Sequence, residues 1–102
     1  MHAFHLGIDV AKAKLDCALR LPDGKFFHKV VENKQTAFTQ LLTFLGKHHA
    51  QGVHVCMEAT GIYWEAIAEF LAAREGFTVS VMNPAQIQAF AASRLTRTKT
   101  DK

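Results

Sequence analysis

Two carboxylates in this sequence stand where metal-ion chemistry would want them. Asp9 ends the short apolar run AFHLGID (3–9), and Glu58 directly follows VHVCM (53–57). If both runs are strands and lie side by side in one sheet, the carboxylates emerge at the same edge. Neighbouring strands are only about 4.8 Å apart, so two such groups can share an ion. That edge is also where open α/β sheets place ligands. Hard divalent cations such as Mg²⁺ take oxygen ligands. Two of them about 3.5–4 Å apart stabilise the attacking and leaving oxygens at a phosphodiester. Asp101, among Arg97, Lys99 and Lys102, is a candidate third ligand. Residue types alone leave a plainer alternative open. A carboxylate ending a strand also serves as a turn former or helix cap, and one amid basic residues can be a surface ion pair of little worth.

The elements that must position these groups follow from periodicity. Residues 3–9 read as a central strand. In KLDCALR (14–20), Leu15, Cys17 and Leu19 alternate with Asp16, Ala18 and Arg20, a half-buried strand. LPDGK (21–25) is a turn, since Pro sets φ and Gly tolerates φ > 0. FFHKVV (26–31) is a third strand, completing an antiparallel meander. Asn33 is a candidate helix cap. After it, Phe38, Leu41, Leu42 and Leu45 recur at helical spacing to about residue 48. VHVCM is the fourth strand. A second helix starts at Thr60 or Gly61, carries Tyr63, Ile67, Phe70 and Leu71 as its stripe, and stops at Gly76. FTVSVM (77–82) is the fifth strand. Asn83-Pro84 then starts a third helix over 85–93. The order β-β-β-α-β-α-β-α predicts a mixed five-stranded sheet with helices packed on it, with the fourth and fifth strands parallel.

Composition excludes several classes. The chain has 102 residues, one domain's worth, at 49% hydrophobic and 21% charged, an ordinary globular balance. No run approaches the ~20 apolar residues of a membrane span. Lys12, Lys14 and Asp9 interrupt any signal-peptide layout, so the cytoplasm is the expected location. Cys17 and Cys56 have no CxxC or Cys/His metal spacing and read as buried free thiols. The histidines show no metal spacing, and His48-His49 suit a helix C-terminus. Residues 1–93 hold eight Lys/Arg and eight Asp/Glu, so the whole net charge of +3 falls in residues 94–102. A basic segment of this kind suits an anionic partner, nucleic acid above all, or is simply solvated.

Three separated blocks go beyond pattern. GIDVAKAKLDCAL (7–19), MEATGIYW (57–64) and VMNPAQIQAFAASRLTRTKTDK (81–102) resemble the N-terminal blocks of insertion-sequence transposases with a DEDD motif, relatives of the Piv-type DNA invertases. The resemblance covers essentially the whole chain, in order and spacing. It implies a ribonuclease-H-like fold similar to the RuvC resolvase, and an acidic tetrad. Asp9 matches its first Asp, Glu58 its Glu and Asp101 its third acid. The fourth Asp would lie three residues beyond Asp101, and a nucleophilic serine belongs to a further C-terminal domain. Residues 1–102 therefore read as an N-terminal domain fragment, inactive alone. The implied activity is transposition or site-specific recombination: DNA binding and metal-dependent strand cleavage and transfer with Mg²⁺ or Mn²⁺. The implied partners are element ends and target DNA, further copies of the chain and, in some members, a guide RNA.

Other residues carry weaker signals. Lys12, Arg94, Arg97 and Lys99 are candidate phosphate contacts, or inert surface charge. Thr60 is a candidate cap, and Gly61 a site of close backbone approach to a phosphate. Tyr63 and Trp64 could stack on bases, but aromatics at helical spacing more often pack in a core. Two rival functions remain. One is a non-catalytic nucleic-acid-binding or dimerisation module. The other is half of an actin-like kinase or ATPase, which shares the early GID strand but normally has glycine where Val10-Ala11-Lys12 stand.

Overall fold

The computed structural model describes residues 4–58 and 61–82. Five strands form one sheet: β1 (Phe4–Val10), β2 (Lys14–Arg20), β3 (Phe26–Glu32), β4 (Val53–Glu58) and β5 (Phe77–Met82). Two helices, α1 (Phe38–Lys47) and α2 (Glu65–Ala72), fill the crossovers. The strand order is β3-β2-β1-β4-β5. The β1–β2 and β2–β3 pairs are antiparallel, and β1–β4 and β4–β5 are parallel. This is the mixed α/β sheet expected of a ribonuclease-H-like domain.

Each strand follows from its alternation. In β2, Leu15, Cys17 and Leu19 are buried while Asp16 and Ala18 face the other way. The β2–β3 turn closes as its residues dictate. Leu21 and Lys25 pair through their backbones, Gly24 takes φ +90, and the Asp23 carboxylate accepts from the Lys25 amide at 2.9 Å. Among the described residues the buried core lies on one side of the sheet. Leu6, Ile8, Leu15, Leu19, Val53 and Val55 meet Phe38, Leu41 and Leu45 of α1 and Ile67 and Leu71 of α2. Phe38 is fully buried and its ring meets that of Phe70 at 5.3 Å, which locks the helices together. No described helix covers the other face of the sheet.

Several local expectations change. Asn33 caps no helix. A 3₁₀ turn, Gln35–Ala37, leads into α1, and neither it nor α1 has a side-chain cap. The second helix begins at Glu65, because a turn over 61–64 with Gly61 at φ +64 comes first. Tyr63 is therefore off the helical stripe and 42% exposed, while Trp64 packs against the core. Cys17 is buried, but Cys56 is exposed, because the alternation of β4 turns it to the uncovered face. The expected third helix lies outside the described residues.

Truncating Phe38→Ala should cost about 3–5 kcal/mol, since the site cannot collapse between two helices. Urea denaturation followed by circular dichroism checks this. Burial, reinforced by the nearby Asp16 charge, pushes the Cys17 thiol from 9.0 up to about 12. The neutral thiol is thus favoured in the folded state, and the stability linked to it is complete below pH 9 and lost as pH rises from there towards 12. The Cys17→Val variant should lack that part of the alkaline loss, whose slope is at most about 1.4 kcal/mol per pH unit. Identical wild-type and Cys17→Val stability curves between pH 8 and 11 would contradict the assignment.

Candidate functional site

The uncovered face is organised in rows that cross the strands. The middle row runs His28, Ala18, Gly7, Cys56, Ser80, since Ala18 pairs with His28 and Gly7, Gly7 with Cys56, and Cys56 with Ser80. Small side chains at its centre, with open space above Gly7, leave a cleft of about 730 Å³. The next row towards the C-terminal end of β1 and β4 is acidic. Asp9 faces Asp16 across the β1–β2 pair, and Val30 and Met82 flank the acids on the outer strands. On the parallel side Ile8 pairs with Met57, so the next residues, Asp9 and Glu58, leave their strands side by side. Asp9, Asp16 and Glu58 all line the cleft.

Asp9 and Glu58 therefore stand as the spacing predicts, on adjacent parallel strands at one sheet edge. Asp16 is a neighbour that spacing alone missed. The signal was present, because a hairpin closing at Val10–Leu15 forces Asp9 opposite Asp16. Only the register was lacking.

Three carboxylates abreast repel one another. Among the described residues the cation paired to the row is Lys14, at 3.8 Å from Asp16 and largely exposed. Neither Asp9 nor Glu58 makes an ion pair or hydrogen bond with another described residue. Among the described residues no three His, Cys, Asp or Glu side chains converge closely enough to hold a metal ion. The donor set at the edge is all oxygen, which suits a hard cation. The softer donors lie a row or more away and are otherwise engaged. His54 Nε2 lies 2.8 Å from Ser80 Oγ and 3.9 Å from Cys56 Sγ, and its ring sits 6.1 Å from that of His5.

The loops beyond the acids are tied together. The Asn33 amide donates to the carbonyl of Ala11 at 2.8 Å and to that of Tyr63 at 3.0 Å. Ala11 follows Asp9 by two residues, and Tyr63 lies in the turn after β4. Trp64 Nε1 donates to the Gly61 carbonyl at 3.0 Å and closes that turn. Lys12 is exposed in the β1–β2 loop, near the acidic edge in sequence. Gly61 precedes α2 by four residues, so its backbone belongs to the turn and not to the helix terminus. Thr60, Arg94, Arg97, Lys99 and Asp101 lie outside the described residues.

A family model described as "Transposase" matches residues 6–102. Two curated relatives, each named "Pilin gene-inverting protein", come from Moraxella lacunata and Moraxella bovis. Each is 36% identical over 104 residues, covering 100% of this chain and 32% of the relative. The chain thus spans about a third of the length of the curated relatives it matches. Among solved structures, the Aquifex aeolicus member of the Ppx/GppA family aligns at a TM-score of 0.43 and 14% identity, over 81% of this chain and 36% of that one. That likeness is too slight to bear on fold or function.

The uncompensated acidic row should lower the stability of the metal-free fold. The Asp9→Asn variant removes one charge from its centre and should be more stable by about 0.2–1 kcal/mol in urea at low ionic strength. The gain should shrink near 1 M salt, where the Debye length falls to about 3 Å. A destabilised variant would show that Asp9 contributes to folding and not against it.

Proposed function

Since the chain belongs to this transposase family, we propose that residues 1–102 form the N-terminal catalytic domain of a DNA recombinase. On this reading Asp9, Glu58 and Asp101 hold a divalent cation, Mg²⁺ or Mn²⁺. The observation that supports it best is the emergence of Asp9 and Glu58 side by side from neighbouring parallel strands, with no basic residue among the described ones paired to either. On a sheet face an opposite charge across the strands is stabilising and a like charge directly opposite is destabilising. A carboxylate pair left open in a cleft, with only oxygen donors, fits a hard cation instead.

When bound, the cation supplies charge stabilisation at the scissile phosphodiester. The chain's own residues do the rest. Asp9 and Glu58 orient the ion at the mouth of the cleft. Asp101 is the third of the four acids that the family pattern implies. Lys12, Arg94, Arg97 and Lys99 contact DNA phosphates and hold the strand against that edge. Phosphate contacts position a nucleic acid without reading its sequence. The nucleophilic serine and the last acid come from the remainder of the protein, so this domain alone binds metal weakly and does not cut.

The substrate class is double-stranded DNA at recombining ends. The names of the Moraxella relatives describe inversion of a gene, which is one form of such recombination. Assembly of several copies at those ends, and a guide RNA where the element encodes one, belong to the same proposal. On the same proposal the reaction takes place in the cytoplasm. No helix among the described residues is long and apolar enough to cross a membrane.

In the full-length protein, Asp9→Asn and Glu58→Gln should each reduce recombination to background while leaving the circular dichroism spectrum unchanged. Wild-type recombination by either variant would sink the reading. Residues 1–102 alone should leave supercoiled DNA intact in Mg²⁺ or Mn²⁺. Metal-dependent nicking by that chain would show that the partner domain is dispensable.

A further inference from the structure

We infer that Asn33 is a positioning residue for the acidic pair, a role that rests on the metal-binding reading of Asp9 and Glu58. Asn33 lies just past the end of β3, on the far side of β2 from both acids. Its amide nonetheless reaches the two loops into which β1 and β4 run. One N–H donates to Ala11, two residues past Asp9, and the other to Tyr63, in the turn that follows Glu58. Both partners are backbone carbonyls, which only accept. The assignment of the amide nitrogen, often ambiguous, is therefore forced.

The site needs this residue type for a chemical reason. Two carbonyl oxygens facing one side chain require two donors on one atom. Aspartate has none when ionised, and a hydroxyl has one. Lysine could supply them, but would bring a full charge beside the acids and compete with a cation for them. Asparagine supplies two donors with no net charge. Its own backbone N–H donates to the Ala13 carbonyl at 3.0 Å, so the amide is anchored to the β1–β2 loop before it reaches across. On the other side, the Trp64–Gly61 bond stiffens the turn that carries Tyr63.

Among the described residues nothing hydrogen-bonds the two acids to orient them. Repulsion along the row pushes their strand ends apart. Only the backbone resists, and beyond the last pairs of β1 with β4 the described tie between the two loops is Asn33. Asn33 thus sets the separation of two ligands that it does not touch. Groups behind metal ligands commonly change affinity by 10–100-fold when removed.

The test uses the chain of residues 1–102 and Mn²⁺ alone, titrated while paramagnetic broadening of backbone amide signals near Asp9 is followed. The variants are Asn33→Ala, Asn33→Gln and Asp9→Asn, each with its urea midpoint measured in the absence of metal. Asn33→Ala should weaken Mn²⁺ binding by about tenfold, beyond any loss in folded fraction. Asn33→Gln keeps both donors on a longer arm and should recover part of that loss. If Asn33→Ala fails to fold, Asn33→Gln carries the measurement, with an affinity between wild type and Asp9→Asn expected. Wild-type affinity in the folded Asn33 variants, or a loss matching only their unfolded fraction, overturns the inference while Asp9→Asn still abolishes binding. Broadening that is unchanged in Asp9→Asn overturns the metal reading itself, and the role of Asn33 falls with it.

Discussion

The pleat of β1 is the constraint on which everything else depends. Side chains along a strand alternate, so burying Leu6 and Ile8 against the helices turns Gly7 and Asp9 to the opposite face. A slip of one residue would exchange the two sets. It would drive Asp9 into the core and expose Leu6 and Ile8. That exchange would strand an unpaired charge in an apolar interior and lose the burial of two large side chains, each worth about 1.5–3 kcal/mol. The apolar residues of β1 therefore fix where its carboxylate points, although none of them touches it. As the central strand, β1 also passes its register to both sides. Antiparallel pairing sets Asp16 opposite Asp9, and parallel pairing sets Glu58 beside it.

This arrangement sets folding and site chemistry against each other. Among the described residues the core is one-sided, drawn from one face of five strands and two helices. The other face carries features that folding alone would avoid: three adjacent carboxylates, an exposed thiol and a glycine at the centre of a strand. Gly7 costs about 0.5–1 kcal/mol relative to alanine in a regular element. A Cβ there would meet nothing within 4 Å, so packing is not the reason for it. What the glycine does provide is depth at the middle of the cleft, beside Ala18 and Cys56. On the proposed reading this conflict is expected, because groups that hold a charged ligand are unfavourable to the fold by themselves.

Much of this was legible in the sequence because it rests on periods. Short apolar runs and alternation such as that of KLDCALR place the five strands to within a residue, whereas the second helix starts four residues later than its stripe suggests. The order of elements then left few sheets to choose from. The placement of Asp9 and Glu58 followed, since it needs only strand ends and adjacency. What stayed hidden depends on register or on a single bond. Asp16 looked like any polar residue on a half-buried strand until its partner was known. Asn33 looked like a helix cap because asparagine before a helical run usually is one. Its amide instead found two carbonyls more than twenty residues away in sequence, and no local pattern encodes that. Cys56 was misjudged because a thiol in an apolar run suggests burial, yet alternation within VHVCM already pointed it the other way.

The weak point of a carboxylate site is also the source of its selectivity. Coulomb repulsion along the acidic row grows as the groups approach, so a close cluster is costly without a cation and relaxed with one. On the proposed reading, ion binding and strand-end geometry are linked: whatever holds β1 and β4 at a fixed spacing decides how much repulsion is stored and which ion relieves it best. Mg²⁺ demands a near-ideal octahedron at about 2.0–2.1 Å, and a larger cation tolerates looser placement. A tie such as Asn33, neutral and rigid, holds spacing without adding charge. A salt bridge to Asp9 or Glu58 would have stabilised the empty fold, but the same lysine or arginine would have occupied the oxygens that the ion needs. On that reading, acids with no described basic partner, their backbones fixed through loop carbonyls, keep their oxygens free for the ion and their geometry set.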